Sequence, residues 1–99
     1  MNNASEHKPE TLKNVFERMI SGFGWEELMI QEKIPEIWKE VVGEKIAQKA
    51  KTLRFDKGTL FIRILSSAWR TELMLRREQI KYEINRIYGS RIVDDIIIK

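Results

Sequence analysis

The sequence predicts an α+β domain, on three observations. Apolar residues recur at helical spacing in the first half of the chain, alternate with period two across residues 53–65, and return as a short isoleucine-rich run at 92–98 after a further helical stretch. The order is helices, hairpin, helix pair, strand. It closes without awkward loops as a three-stranded sheet with an antiparallel hairpin, the last strand brought beside it by the helical crossover and the helices packed on one face.

Taken in order, residues 1–8 read as a flexible leader and 9–99 as a single domain, because a chain of 99 residues fills one modest core. Pro9 and Glu10 suit a helix start, and Leu12, Val15, Phe16, Met19 and Ile20 then share one apolar face. This amphipathic helix, 11–22, stops at Gly22-Phe23-Gly24. Trp25 to Glu32 reads as a second, short helix. Pro35 suits the first turn of a third, in which Ile37, Trp38, Val41 and Val42 point inward. Gly43 interrupts it as a bend or a close-packing point before Ile46 and Ala47 extend the stripe.

From Leu53 the period becomes two. Leu53 and Phe55 alternate with Arg54 and Asp56, Asp56-Lys57-Gly58 offers a turn, and Thr59 to Leu65 forms a second strand that is apolar on both sides and therefore central or covered on both faces. Ser66 or Ser67 can cap the next helix, which runs to about Tyr88 and ends at Gly89. The β-branched run from Ile92 to Ile98 makes the last strand.

Charge and chemistry narrow the function. Residues 1–50 carry seven Lys/Arg against nine Asp/Glu, whereas residues 51–99 carry eleven against six, so the positive charge gathers late in the chain. Such an imbalance suits a polyanion. There is no cysteine, which removes thiol chemistry and is compatible with a reducing cytoplasm. No apolar run is long enough to span a membrane, and the polar N-terminus lacks a signal-peptide core, so a cytoplasmic location is expected. His7 is the only histidine and lies in the leader, which argues against a metal site. Ser66 and Ser67 have no histidine nearby to activate them, Glu26-Glu27 and Asp94-Asp95 are adjacent pairs that point apart, and no phosphate-cradling glycine loop occurs. No enzymatic role, cofactor or metal is expected.

Of the aromatics, Trp38 and Trp69 fall on apolar stripes and read as core, as do Phe61 and Tyr82, which could stack bases if exposed. Trp25 is open between the two. If residues 68–88 form one helix, Trp69, Leu73, Ile80, Ile84 and Ile87 share a face, and Arg70, Arg77 and Lys81 line its edge. With Arg63 and Arg54 on the sheet, that stripe could follow a nucleic-acid backbone, although the same arginine stems would also cover the core margin.

Trp38 with Val41-Val42-Gly43 and Ile46-Ala47, Gly58-Thr59-Leu60 opening a strand, then Ser66-Ser67-Ala68-Trp69 and Glu72-Leu73, together resemble the DciA-like family. The resemblance covers residues 34–98 and implies a KH-like fold, binding of single-stranded or forked DNA, and a partnership with the bacterial replicative helicase. KH domains clamp the backbone with a GXXG loop between two helices. The corresponding stretch here is Leu75-Arg76-Arg77-Glu78, where the charges of Arg76 and Arg77 stand in place of glycine. The expected phosphate contacts are Arg63, Arg70, Arg76, Arg77 and Lys81. Two other functions fit the same elements: a ribosome-associated KH-like factor that binds RNA, and a protein adaptor that offers helix 11–22.

Overall fold

The computed structural model describes residues 12–14 and 24–99. Residues 12–14 are helical. The leader and the remainder of the expected helix 11–22 lie outside the described residues. The elements that follow are α1 (Trp25–Val42), α2 (Glu44–Ala47), β1 (Ala50–Asp56), β2 (Thr59–Ile64), α3 (Ser67–Leu75), α4 (Arg77–Tyr88) and β3 (Asp95–Ile98). The class is α+β, as expected. The sheet runs β1-β2-β3, with β1 antiparallel and β3 parallel to the central strand β2.

The two short helices expected around Pro35 are one helix of 18 residues with the proline inside it. An interior proline costs about 3 kcal/mol relative to alanine. Against that, Ile30, Ile34, Ile37 and Trp38 form one buried stripe across the proline, and each such side chain contributes about 1.5–3 kcal/mol on burial. The stripe wins. Pro35 itself faces solvent, where water can meet the backbone carbonyl its ring leaves unpaired. Gly43 ends the helix at φ 92°, and no atom lies within 4 Å of the position a Cβ would take, so it is a bend and not a close-packing point.

The hairpin turns on two residues of positive φ, Lys57 at 47° and Gly58 at 85°, which matches the twist of the strands it joins. Helix α1 holds this hairpin from the side. Gln31 Oε1 accepts the Phe55 N–H at 2.8 Å and Glu27 Oε2 accepts the Lys57 N–H at 2.7 Å, so side chains satisfy part of the edge that β1 would otherwise leave open.

Ser66 is the cap, its Oγ accepting the Trp69 N–H at 3.3 Å. The helix expected to run through to Tyr88 breaks at Arg76, where φ is −104° and ψ 14°. A straight helix over 67–88 would extend about 33 Å at 1.5 Å per residue. The strands beneath it have four to seven residues, which span far less. The break lets Leu73 from α3 and Ile80 and Ile84 from α4 all reach the core. Gly89 then closes α4 in the left-handed region, at φ 97°.

The last strand is shorter than expected and starts at Asp95. Ile92 and Val93 are buried in the preceding loop instead. Asn85 fixes that loop: its Oδ1 accepts from the backbone N–H groups of Ile92 (3.0 Å) and Val93 (2.8 Å), and its Nδ2 donates to the Val93 carbonyl at 3.0 Å. Hydrogen bonds with both of its backbone neighbours at 92 and 93 make a β-ladder unnecessary there.

The core lies between the helices and the inner face of the sheet. Phe55, Leu60, Ile62, Ile64, Ile96 and Ile98 supply the sheet side, and Trp38 seats against them with 2% exposure and its Nε1 unpaired among the described residues. Helices cover this one face only. Among the described residues, no helix is long and apolar enough to cross a membrane.

Candidate nucleic-acid interface

The other face of the sheet is open, and strand alternation decides what it displays. The pairing register orders its residues in three rows. Asp56, Thr59 and Asp95 form one row, at the turn end. Arg54, Phe61 and Ile97 form the middle row. Thr52 and Arg63 begin the third, and Lys99 completes it: the Lys99 N–H donates to the Ile62 carbonyl (2.9 Å) and its carbonyl accepts from Ile64 (2.7 Å), which sets Lys99 level with Arg63. Acids occupy one end and cations the other.

In the middle row Arg54 lies over Phe61, with Cζ 4.4 Å from the ring centroid, and reaches Asp56 at 3.8 Å. Beyond the third row, Arg70 of α3 donates from Nη1 to the carbonyls of Ile64 (2.7 Å) and Leu65 (3.1 Å), where β2 hands over to the helix. Arg54, Phe61, Arg63, Arg70 and Lys99 border one shallow hollow together with exposed Leu65. An adjoining hollow is lined by Lys49 and Lys51 and shares Leu65. No Asp or Glu side chain lines either.

The remaining expected contacts sit elsewhere. Because the helix breaks at Arg76, Arg70 and the pair Arg77 and Lys81 do not form one stripe. Arg77 approaches Asp95 at 4.0 Å, near the turn end of the sheet, and Lys81 pairs with Glu78 at 2.9 Å while donating to the Asp94 carbonyl at 3.3 Å. Arg76 pairs with Glu72 at 3.4 Å. The structure thus brings Arg63 and Arg70 together and leaves Arg76, Arg77 and Lys81 beside carboxylates. Arg63 makes no ion pair among the described residues. Further along α4, Arg86 holds Glu83 at 2.7 Å, and that hydrogen bond and charge raise its pKa further above the ordinary arginine value.

Alternation could have found Lys99. Once Ile96 and Ile98 are assigned inward, position 99 must face outward beside Arg63. Among the aromatics, Trp38 is core, as expected, and Trp69 packs partly against it with Lys49 Nζ 5.8 Å from its ring centroid. Trp25 and Tyr82 are exposed, so Tyr82 departs from the packing expected of it, and Phe61 is half-buried. Ser66 is occupied as a cap. Among the described residues no group of three or more His, Cys, Asp or Glu side chains is placed to hold a metal ion. His7 lies outside them.

The fold is thus a small α+β domain with its helices on one sheet face and cations with an aromatic on the other. The family can be stated more closely. The chain belongs to the DciA family, described as Dna[CI] antecedent, DciA, which it matches over residues 11–98. It is similar to a UPF0232 protein of Corynebacterium glutamicum, 32% identical over 90% of this chain and 50% of that protein. A UPF0232 protein of Mycolicibacterium smegmatis is 27% identical over 91% of this chain and 46% of its own length. One from Mycobacterium tuberculosis is 26% identical over 91% and 48%. The chain therefore spans about half the length of these curated relatives. No solved structure was found to match it.

Proposed function

We propose that this domain is a non-enzymatic nucleic-acid-binding module that holds single-stranded or forked DNA and assists the bacterial replicative helicase. Membership of the DciA family, described as Dna[CI] antecedent, supports the helicase role. The DNA role rests on one observation: Arg63, Arg70 and Lys99 converge at one end of the open sheet face where no Asp or Glu side chain lines the surface. Phosphates neutralised there release counterions, which gives affinity without sequence preference. Arg76, Arg77 and Lys81 extend the contact. Their acid partners are exposed, and such surface pairs are worth about 0–1 kcal/mol, so a phosphate can displace them at small cost.

The test is a salt-titrated binding assay on single-stranded DNA, duplex DNA and RNA. Arg63→Ala with Lys99→Ala is expected to weaken single-strand binding about tenfold at physiological salt and to flatten the salt dependence by roughly two charges. Arg76→Ala with Arg77→Ala is expected to weaken it less, since each arginine is already engaged by an acid that a phosphate must displace. Unchanged affinity in the first variant would remove the proposed surface, and a clear preference for RNA would favour the ribosome-associated reading.

A further inference from the structure

We infer that the open sheet face is selective for unpaired strands because one base stacks on the Arg54–Phe61 pair while the neighbouring phosphates sit on Arg63 and Lys99. This rests on the nucleic-acid reading above and adds to it where the base goes and why duplex is excluded. The guanidinium of Arg54 lies 4.4 Å from the Phe61 centroid and its side chain is 60% exposed, so it presents a cationic plane backed by an aromatic one. Guanidinium planes and aromatic rings both accept a stacked base. Ile97, on the far side of Phe61 in the register, gives the base an apolar flank.

The spacing fits a single strand. Residues two apart on one face of a strand are about 7 Å apart, so the row of Arg63 and Lys99 lies about one nucleotide step from the stacking pair. A duplex keeps its bases stacked inside and offers this flat face only its phosphates, for which Arg63 and Lys99 suffice. The cationic row therefore supplies general affinity and the middle row supplies the choice between strands. Asp56 and Asp95 lower the positive charge of the turn end, which favours phosphates on the row of Arg63 and Lys99.

The double variant Arg54→Lys with Phe61→Leu keeps the net charge and an apolar side chain at 61 and removes both planes. Both positions are on the outer face, so the thermal transition should stay close to that of the parent. Binding of a labelled oligonucleotide carrying a fluorescent base analogue, single-stranded and as duplex, reads the outcome. The parent is expected to quench the analogue and to prefer the single strand about tenfold or more, and the variant to lose quenching and that preference while duplex affinity and the salt slope stay unchanged. Phe61→Trp should retain both. An equal loss on both nucleic acids, a preference that survives the double variant, or reduced self-association in place of reduced binding would overturn the inference. If the parent binds neither nucleic acid, the functional reading itself fails. If it binds both equally without quenching, only the stacking fails.

Discussion

Gly58 answers two demands at once. The turn requires φ 85°, and a Cβ there would stand 2.7 Å from Asp94 Oδ2, while the Gly58 carbonyl accepts the Asp94 N–H at 2.7 Å. The glycine thus joins the hairpin to the loop that leads into β3. Gly58→Ala combines a left-handed conformation worth about 1–2 kcal/mol with a contact that the exposed Asp94 carboxylate can largely relieve by rotating, so a loss of about 1–2 kcal/mol is expected in urea unfolding, with the m value unchanged. Adding Asp94→Ala should restore the part due to the contact and leave the backbone part. Additive losses in the double variant would mean that the side chain of Asp94 plays no role at this turn.

At the scale of elements, a helix side chain restrains the loop that leads into β3. Asn85 reaches out of α4 to hold both backbone neighbours at 92 and 93, in a part-buried loop. Asn85→Ala would leave three backbone groups unmet and should cost about 2–4 kcal/mol, whereas Asn85→Asp keeps both accepting contacts but sets a carboxylate oxygen against the Val93 carbonyl and should cost about 1–3 kcal/mol with the two amides still held. Hydrogen exchange at the Ile92 and Val93 amides is the measurement, and equal protection in the two variants would remove this assignment. The same scale shows what could be read in advance. Period two at Leu53–Leu65 and the glycine at 58 were sufficient for the hairpin, and the face of Leu73, Ile80 and Ile84 held although the helix carrying it broke. Local signals failed where tertiary burial overrode them: Pro35 reads as a start until Ile34 and Trp38 are both seen to need one core, and nothing local marks Arg76 as a joint. Asn85 was silent because its partners lie seven and eight residues away. The cations were legible by type, and so were the acids Glu72 and Glu78 one helical turn from Arg76 and Lys81, but Asp94 and Asp95 approach Lys81 and Arg77 only after the crossover closes.

Across the whole molecule the charge is layered. The open sheet face is cationic at one end, and the outer side of α1, beyond the core, exposes Glu32, Glu36 and Glu40 against the cation Lys33, beside Met29 and the end of α4. A helix layer about 10 Å thick separates these glutamates from the sheet. That exceeds the Debye length of about 8 Å at physiological ionic strength but is well within the 30 Å that holds at 0.01 M. Glu32→Gln with Glu36→Gln and Glu40→Gln should therefore leave single-strand affinity within about twofold at physiological salt and raise it several-fold at low salt. Asp56→Asn with Asp95→Asn changes charge on the sheet face itself, with no screening layer between, and should tighten binding at both salt concentrations. Paired titrations of the two variants separate the faces. Equal effects of the triple variant at both salts would mean that the bound strand extends around to α1, and the assignment of DNA to the sheet face would fall.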